Sequence, residues 1–145
     1  MIDRLIDRRV LLIGGGLCVG GLSLAGLALA GTPARAGAFI SRRIAVSVRG
    51  TGRDVLLIPG LASGPAIWNR AMAAVPGYRW HLVQVRGFAG LPAEANATGD
   101  LIRPLSQEIG RYIRDARLTR PAVIGHSMGG TLALMLGLEG LAGRV

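Results

Sequence analysis

Gly125-His126-Ser127-Met128-Gly129-Gly130 is the segment whose residue types and spacing could do covalent chemistry. It lies where a short apolar run, Pro121-Ala122-Val123-Ile124, gives way to an apolar stretch of helical character from Met128 through Leu138. A G-x-S-x-G turn between strand and helix must be sharp, so that the serine hydroxyl projects above the sheet. The flanking glycines remove side chains that would collide there. Ser127 is therefore a candidate nucleophile, with Gly125 and Gly129 as the elbow glycines. A serine attacking an acyl carbon creates a tetrahedral oxyanion, which needs two backbone N–H groups aimed at it. One comes from the residue after the nucleophile and one from the loop after an earlier strand. Met128 supplies the first. Leu61 is assigned as the second, in the loop Ile58-Pro59-Gly60-Leu61-Ala62-Ser63, following the conformationally permissive Gly60.

The elements that must position these residues can be read from the apolar pattern. Ile44-Ala45-Val46-Ser47-Val48 alternates like a half-buried strand, and Arg49-Gly50-Thr51-Gly52 reads as the turn of a hairpin. Val55-Leu56-Leu57-Ile58 is a continuous apolar run closed by Pro59-Gly60, the form of a strand buried on both faces. Pro65 suits the first position of a helix that Pro76-Gly77 ends. Residues 80–85 form another strand, residues 86–98 a loop, and residues 99–116 an amphipathic helix carrying Leu105, Ile109, Tyr112 and Ile113 on one face. The order β, β, α, β, α, β, α implies an α/β fold: a mostly parallel sheet with helices on both faces, the first hairpin being the exception.

With these motifs together, residues 44–145 resemble the N-terminal half of an α/β-hydrolase fold serine hydrolase. The likeness rests on Leu56-Leu57-Ile58-Pro59-Gly60-Leu61 with Trp68 following, on residues 83–90 after the middle strand, and on the serine elbow. Pro59 departs from the pattern, since many members carry His before the oxyanion glycine. The resemblance implies an esterase- or lipase-like activity on a small ester-like substrate, with loop 86–93 and residues 61–68 lining the acyl side. Serine at the elbow disfavours the haloalkane dehalogenases and epoxide hydrolases of this fold, which use Asp. No cofactor or metal is implied. One cysteine and two histidines are too few for a closed zinc site, and no nucleotide motif is present.

In this family the acid and the histidine follow the nucleophile in the chain. After Ser127 stand 18 residues, with Glu139 and no His. Glu139 is about 18 Å along the helix from Ser127. His126 is expected to point away into sheet or helix packing, and His81 to be a strand-end residue. Without a base the Ser127 hydroxyl stays protonated and weakly nucleophilic. The expectation is a partial chain, inactive alone, whose sheet ends at an unprotected edge prone to self-association or aggregation. The competing readings are a non-catalytic, membrane-anchored interaction module or the product of a truncated gene, and a partner subunit supplying the His.

The N-terminus reads as an address. Residues 10–34 are uncharged, follow Arg8-Arg9, and include 14 apolar residues and six glycines in residues 10–30. Ala34-Arg35-Ala36 fits a small-x-small cleavage site. Asp7-Arg8-Arg9-Val10-Leu11-Leu12 resembles a twin-arginine export signal. Residues 1–36 are thus a signal peptide or membrane anchor and 37–145 the N-terminal half of an α/β-hydrolase domain, exported to periplasm or medium, or held at the inner membrane if residues 10–34 remain. The net charge of +9 comes entirely from arginines that are scattered and accompanied by only six aromatics, so it does not read as a nucleic-acid surface.

Overall fold

The computed structural model describes residues 39–145. The signal or anchor reading of residues 1–36 lies outside the described residues, as does Cys18. In chain order the elements are β1 (Ile44–Arg49), β2 (Arg53–Ile58), α1 (Asn69–Ala74), β3 (Tyr78–Val85), α2 (Ile102–Asp115), β4 (Ala122–Gly125) and α3 (Met128–Leu138). Short 3-10 turns at Pro65–Trp68 and Glu94–Asn96 precede α1 and interrupt the loop before α2. The sheet order is β1-β3-β2-β4. β2 runs parallel to β3 and β4, and β1 runs antiparallel to β3.

That order corrects the hairpin reading of β1 and β2, because β3 lies between them. The linking residues instead cross the start of β3. Gly50 has φ +76° and Gly52 φ +117°. A Cβ on Gly50 would sit 2.5 Å from the Tyr78 carbonyl oxygen, and one on Gly52 would overlap the Gly77 carbonyl. Two glycines in a short link signal positive φ and close approach, and these serve a crossing as well as a tight turn.

β2 and β3 take the central places because both bury side chains on both faces. Leu56, Ile58, Val83 and Val85 face a cluster with Ile44, Leu105, Ile109, Ile113, Val123, Leu132 and Leu136, under α2 and α3. Val55, Leu57, Trp80 and Leu82 face the other way, against Trp68 and Met72. Fully burying one such aliphatic side chain contributes about 1.5–3 kcal/mol, which fixes the register of the two strands that present most of them. β1, by contrast, fades from buried Ile44 to half-exposed Val48, as an edge strand does.

α2 buries Leu105, Ile109, Tyr112 and Ile113 and turns Arg103, Arg114 and Asp115 outward. α3 buries Gly129, Leu132, Ala133 and Leu136, yet Leu134 and Leu138 on its other side are exposed. The expected bare edge at β4 is also corrected in part. Gly140, at φ +70°, turns the chain back after α3. The Val123 N–H then donates to the Arg144 carbonyl at 2.8 Å and the Gly143 N–H to Pro121 at 2.9 Å. Arg144 thereby bridges Ala122 in parallel orientation, on the side of β4 away from β2.

Candidate active site

β4 delivers Ser127 just beyond the end of the sheet, and α3 begins at the next residue. Ser127 has φ 53° and ψ −120°, an unfavourable backbone conformation for a residue with a side chain. A serine at a helix N-cap ordinarily accepts a hydrogen bond from the first turn. Here the side chain makes no capping bond, and Ser127 is exposed. The first turn is closed by backbone alone: Gly129 donates to the His126 carbonyl at 2.9 Å and Gly130 to the Ser127 carbonyl at 2.8 Å. A Cβ on Gly125 would overlap the Gly129 carbonyl, and a Cβ on Gly129 would overlap that of Ile58. The elbow is thus wedged onto the end of β2, where His126 N–H donates to the Ile58 carbonyl at 3.0 Å.

The same contact brings the loop after β2 to Ser127. A Cβ on Gly60 would lie 3.2 Å from the Ser127 Cβ and 3.0 Å from His126 Nδ1, so this glycine serves close approach. The positive φ of the loop falls on Ala62, at 56°. Neither Leu61 nor Met128 donates its N–H to any described group, whereas their neighbours Ser63, Gly129 and Gly130 do. Loop 86–93 meets the same rim, where a Cβ on Gly64 would press on Ala89 and Gln84 Nε2 donates to the Ala89 carbonyl at 3.1 Å.

No described histidine or carboxylate hydrogen-bonds Ser127. His126 is exposed, and not packed into the sheet or a helix as its sequence position suggested. β4 ends at Gly125, so the side chain stands past the layer that would have covered it. Glu139 lies at the far end of α3 and is exposed.

His81 also departs from expectation. It sits inside β3, 3% exposed, with both ring nitrogens engaged. Nε2 donates to Asp54 Oδ1 at 2.8 Å, and Nδ1 accepts from the Tyr112 hydroxyl at 2.5 Å. Arg79 grips Asp54 through Nε and Nη2 at 2.5 and 2.9 Å. Arg79 first, and His81 after it, hold the Asp54 carboxyl below its ordinary range. Burial pushes His81 down and the Tyr112 phenol up to about 12. From the strand registers, His81 is roughly 16 Å from Ser127. The pair is therefore a buried structural network and not a base for the elbow. Only the facing of Asp54 and Arg79 across β2 and β3 joins these residues, and that pairing was not legible in the chain.

The sequence profile of the alpha/beta hydrolase family matches residues 55–145, which hold the Gly60 loop, the parallel strands and the serine elbow. The chain belongs to the alpha/beta hydrolase family. Among solved structures, this alpha/beta hydrolase is similar to an esterase from Exiguobacterium antarcticum, with a TM-score of 0.55 and 30% identity over 66% of this chain and 35% of that one. It is similar to an alpha/beta hydrolase fold protein from Burkholderia ambifaria (TM-score 0.59, 22% identity, 69% of this chain and 37% of that one). A Pseudomonas aeruginosa protein provisionally named an epoxide hydrolase gives a TM-score of 0.57 at 27% identity, over 67% of this chain and 33% of that one. The chain thus spans about a third of the length of these structures. No curated protein matches it.

Proposed function

We propose that this alpha/beta hydrolase is a serine hydrolase of carboxylesterase or lipase-like type, with Ser127 as nucleophile. The observation that carries the reading is the strained, uncapped Ser127, followed by Met128 and approached by Gly60, with neither the Met128 nor the Leu61 N–H hydrogen-bonded among the described residues. Oγ forms a bond to the acyl carbon of an ester-like substrate as the carbonyl electrons move onto oxygen. The N–H groups of Leu61 and Met128 hold that oxyanion. Collapse expels the alcohol, and water then releases the acid from the acyl-enzyme. Serine at the elbow favours acyl transfer over epoxide opening.

The hydroxyl proton needs a base. In the family's order, the base and its orienting acid lie in sequence following Ser127, and these residues are an N-terminal part of the enzyme, inactive alone. The span of about a third of the related structures supports this. So do exposed Leu134 and Leu138 on α3 and exposed Val145, apolar side chains through which the isolated chain self-associates. Residues 1–36 direct export or tether the protein to the membrane. No helix among the described residues is long and apolar enough to cross one.

Two measurements test the reading. The intact mass of the native protein is expected above 15.1 kDa, and a fluorophosphonate probe is expected to label that protein but not its Ser127→Ala variant. Labelling that survives the substitution refutes the nucleophile. A native mass at or below 15.1 kDa leaves the serine without a base and favours a non-catalytic, membrane-anchored module.

A further inference from the structure

From Gly37 onward the chain carries 13 arginines and six acids, and four of the acids are already committed. Asp54 holds Arg79 and His81, Glu94 holds Arg42 and Arg86, and Glu108 and Asp115 both hold Arg111. A cleft of about 590 Å³ beside β1 and α2 is lined by Arg79, His81, Arg111 and Tyr112. Each of these side chains is bonded to another of them or to one of these carboxylates. A smaller groove of about 360 Å³ has the opposite character. Arg53, Arg117, Arg120 and Arg144 line it together with Thr119 and Asp54. None of the four guanidinium groups makes an ion pair or side-chain hydrogen bond among the described residues, and Asp54 is turned to Arg79 and His81.

Fold, not local sequence, assembles this groove. Arg53 opens β2, Arg117 and Arg120 lie in the link from α2 to β4, and Arg144 bridges the first residue of β4. The groove is therefore at the end of the sheet where the parallel strands begin, on the order of 20 Å from Ser127 by strand rise. A second observation concerns the backbone. Arg117 has φ 53° and Arg120 φ 45°. Arg117 closes α2, with its N–H on the Arg114 carbonyl at 3.0 Å and the Leu118 N–H on that of Ile113 at 2.9 Å. Glycine is the unstrained occupant of such a helix end. Two positions that glycine would fill at lower cost carry arginine, and both arginines face the same groove.

We propose that this groove binds a phosphate-bearing anion, either a soluble phosphate ester or the headgroup of an anionic phospholipid. Guanidinium forks match phosphate oxygens in pairs, and a bound dianion relieves the mutual repulsion of four cations that have no acidic partner among the described residues. The test uses the full chain, inorganic pyrophosphate as the soluble probe, and titration calorimetry at low salt. The double variant Arg117→Gly, Arg120→Gly removes two cations at positions whose φ suits glycine, so the fold is retained. Arg70→Gln with Arg103→Gln removes the same charge outside the groove. The expected result is pyrophosphate binding that weakens at least about tenfold in the groove variant and changes little in the control. No binding by the parent chain, or equal weakening in both variants, overturns the proposal. Sedimentation with phosphatidylglycerol vesicles, relative to phosphatidylcholine vesicles to subtract any contribution of residues 10–34, identifies the source. A phosphatidylglycerol excess that the groove variant loses assigns a lipid headgroup. Pyrophosphate binding without that excess assigns a soluble ester.

Discussion

Replacing Ser127 by glycine should make the protein more stable, and replacing it by alanine should not. At φ 53° and ψ −120° the residue occupies a region that only glycine enters freely. A side chain held there costs about 1–3 kcal/mol. Its hydroxyl offsets none of this, because it caps no helix and meets no described partner. Alanine keeps the Cβ and therefore the strain, so Ser127→Ala is expected within about 0.5 kcal/mol of the parent. Glycine removes the strain but loosens the unfolded chain by about 0.4–1 kcal/mol, leaving a net gain of about 1 kcal/mol. For a domain of this size that is about 5 °C in Tm. The assay is a denaturant titration of parent, Ala and Gly variants, read by tryptophan fluorescence from Trp68 and Trp80. A glycine variant no more stable than the alanine variant refutes the argument that the fold holds Ser127 in place at the expense of its own stability.

Three further outcomes follow from the same geometry. Gly129→Ala drives a Cβ into the Ile58 carbonyl and toward that of Pro59; backbone on both sides cannot yield, so a loss of about 3 kcal/mol or more is expected in the same titration. Tyr112→Phe removes the hydroxyl that His81 Nδ1 accepts and leaves a buried nitrogen unpaired, for a loss of about 1–3 kcal/mol. Stability should also depend on pH in three windows, measured as denaturation midpoints. His81 is depressed by burial, so its contribution is full above its ordinary value of 6.5 and is lost as pH falls through its lower folded value. Asp54 is depressed by Arg79 and His81, so a second loss begins below 3.8. Tyr112 is raised by burial, so stability falls as pH climbs from 10.0 toward about 12. A His81→Asn variant that keeps the decline just below 6.5 would show that another group causes it.

The strand–turn–helix at Ser127, the loop at Gly60 and the order of strands and helices were legible in the sequence because each is a local signal. Val55-Leu56-Leu57-Ile58 reads as a doubly buried strand from its own composition, and Gly125 and Gly129 read as collision-free positions from their spacing about Ser127. Pairing between distant segments has no such local mark. That β3 would insert between β1 and β2 followed from which strand could bury Trp80 and Leu82 on one face and Val83 and Val85 on the other. The same insertion set Arg79 opposite Asp54 and drew His81 into a buried network under Tyr112. Four arginines from positions 53 to 144 came onto one groove only when β2, the end of α2 and the turn after α3 met at one end of the sheet. Local residue types determined which chemistry this chain could carry. The competition of apolar faces for burial decided which side chains stand together.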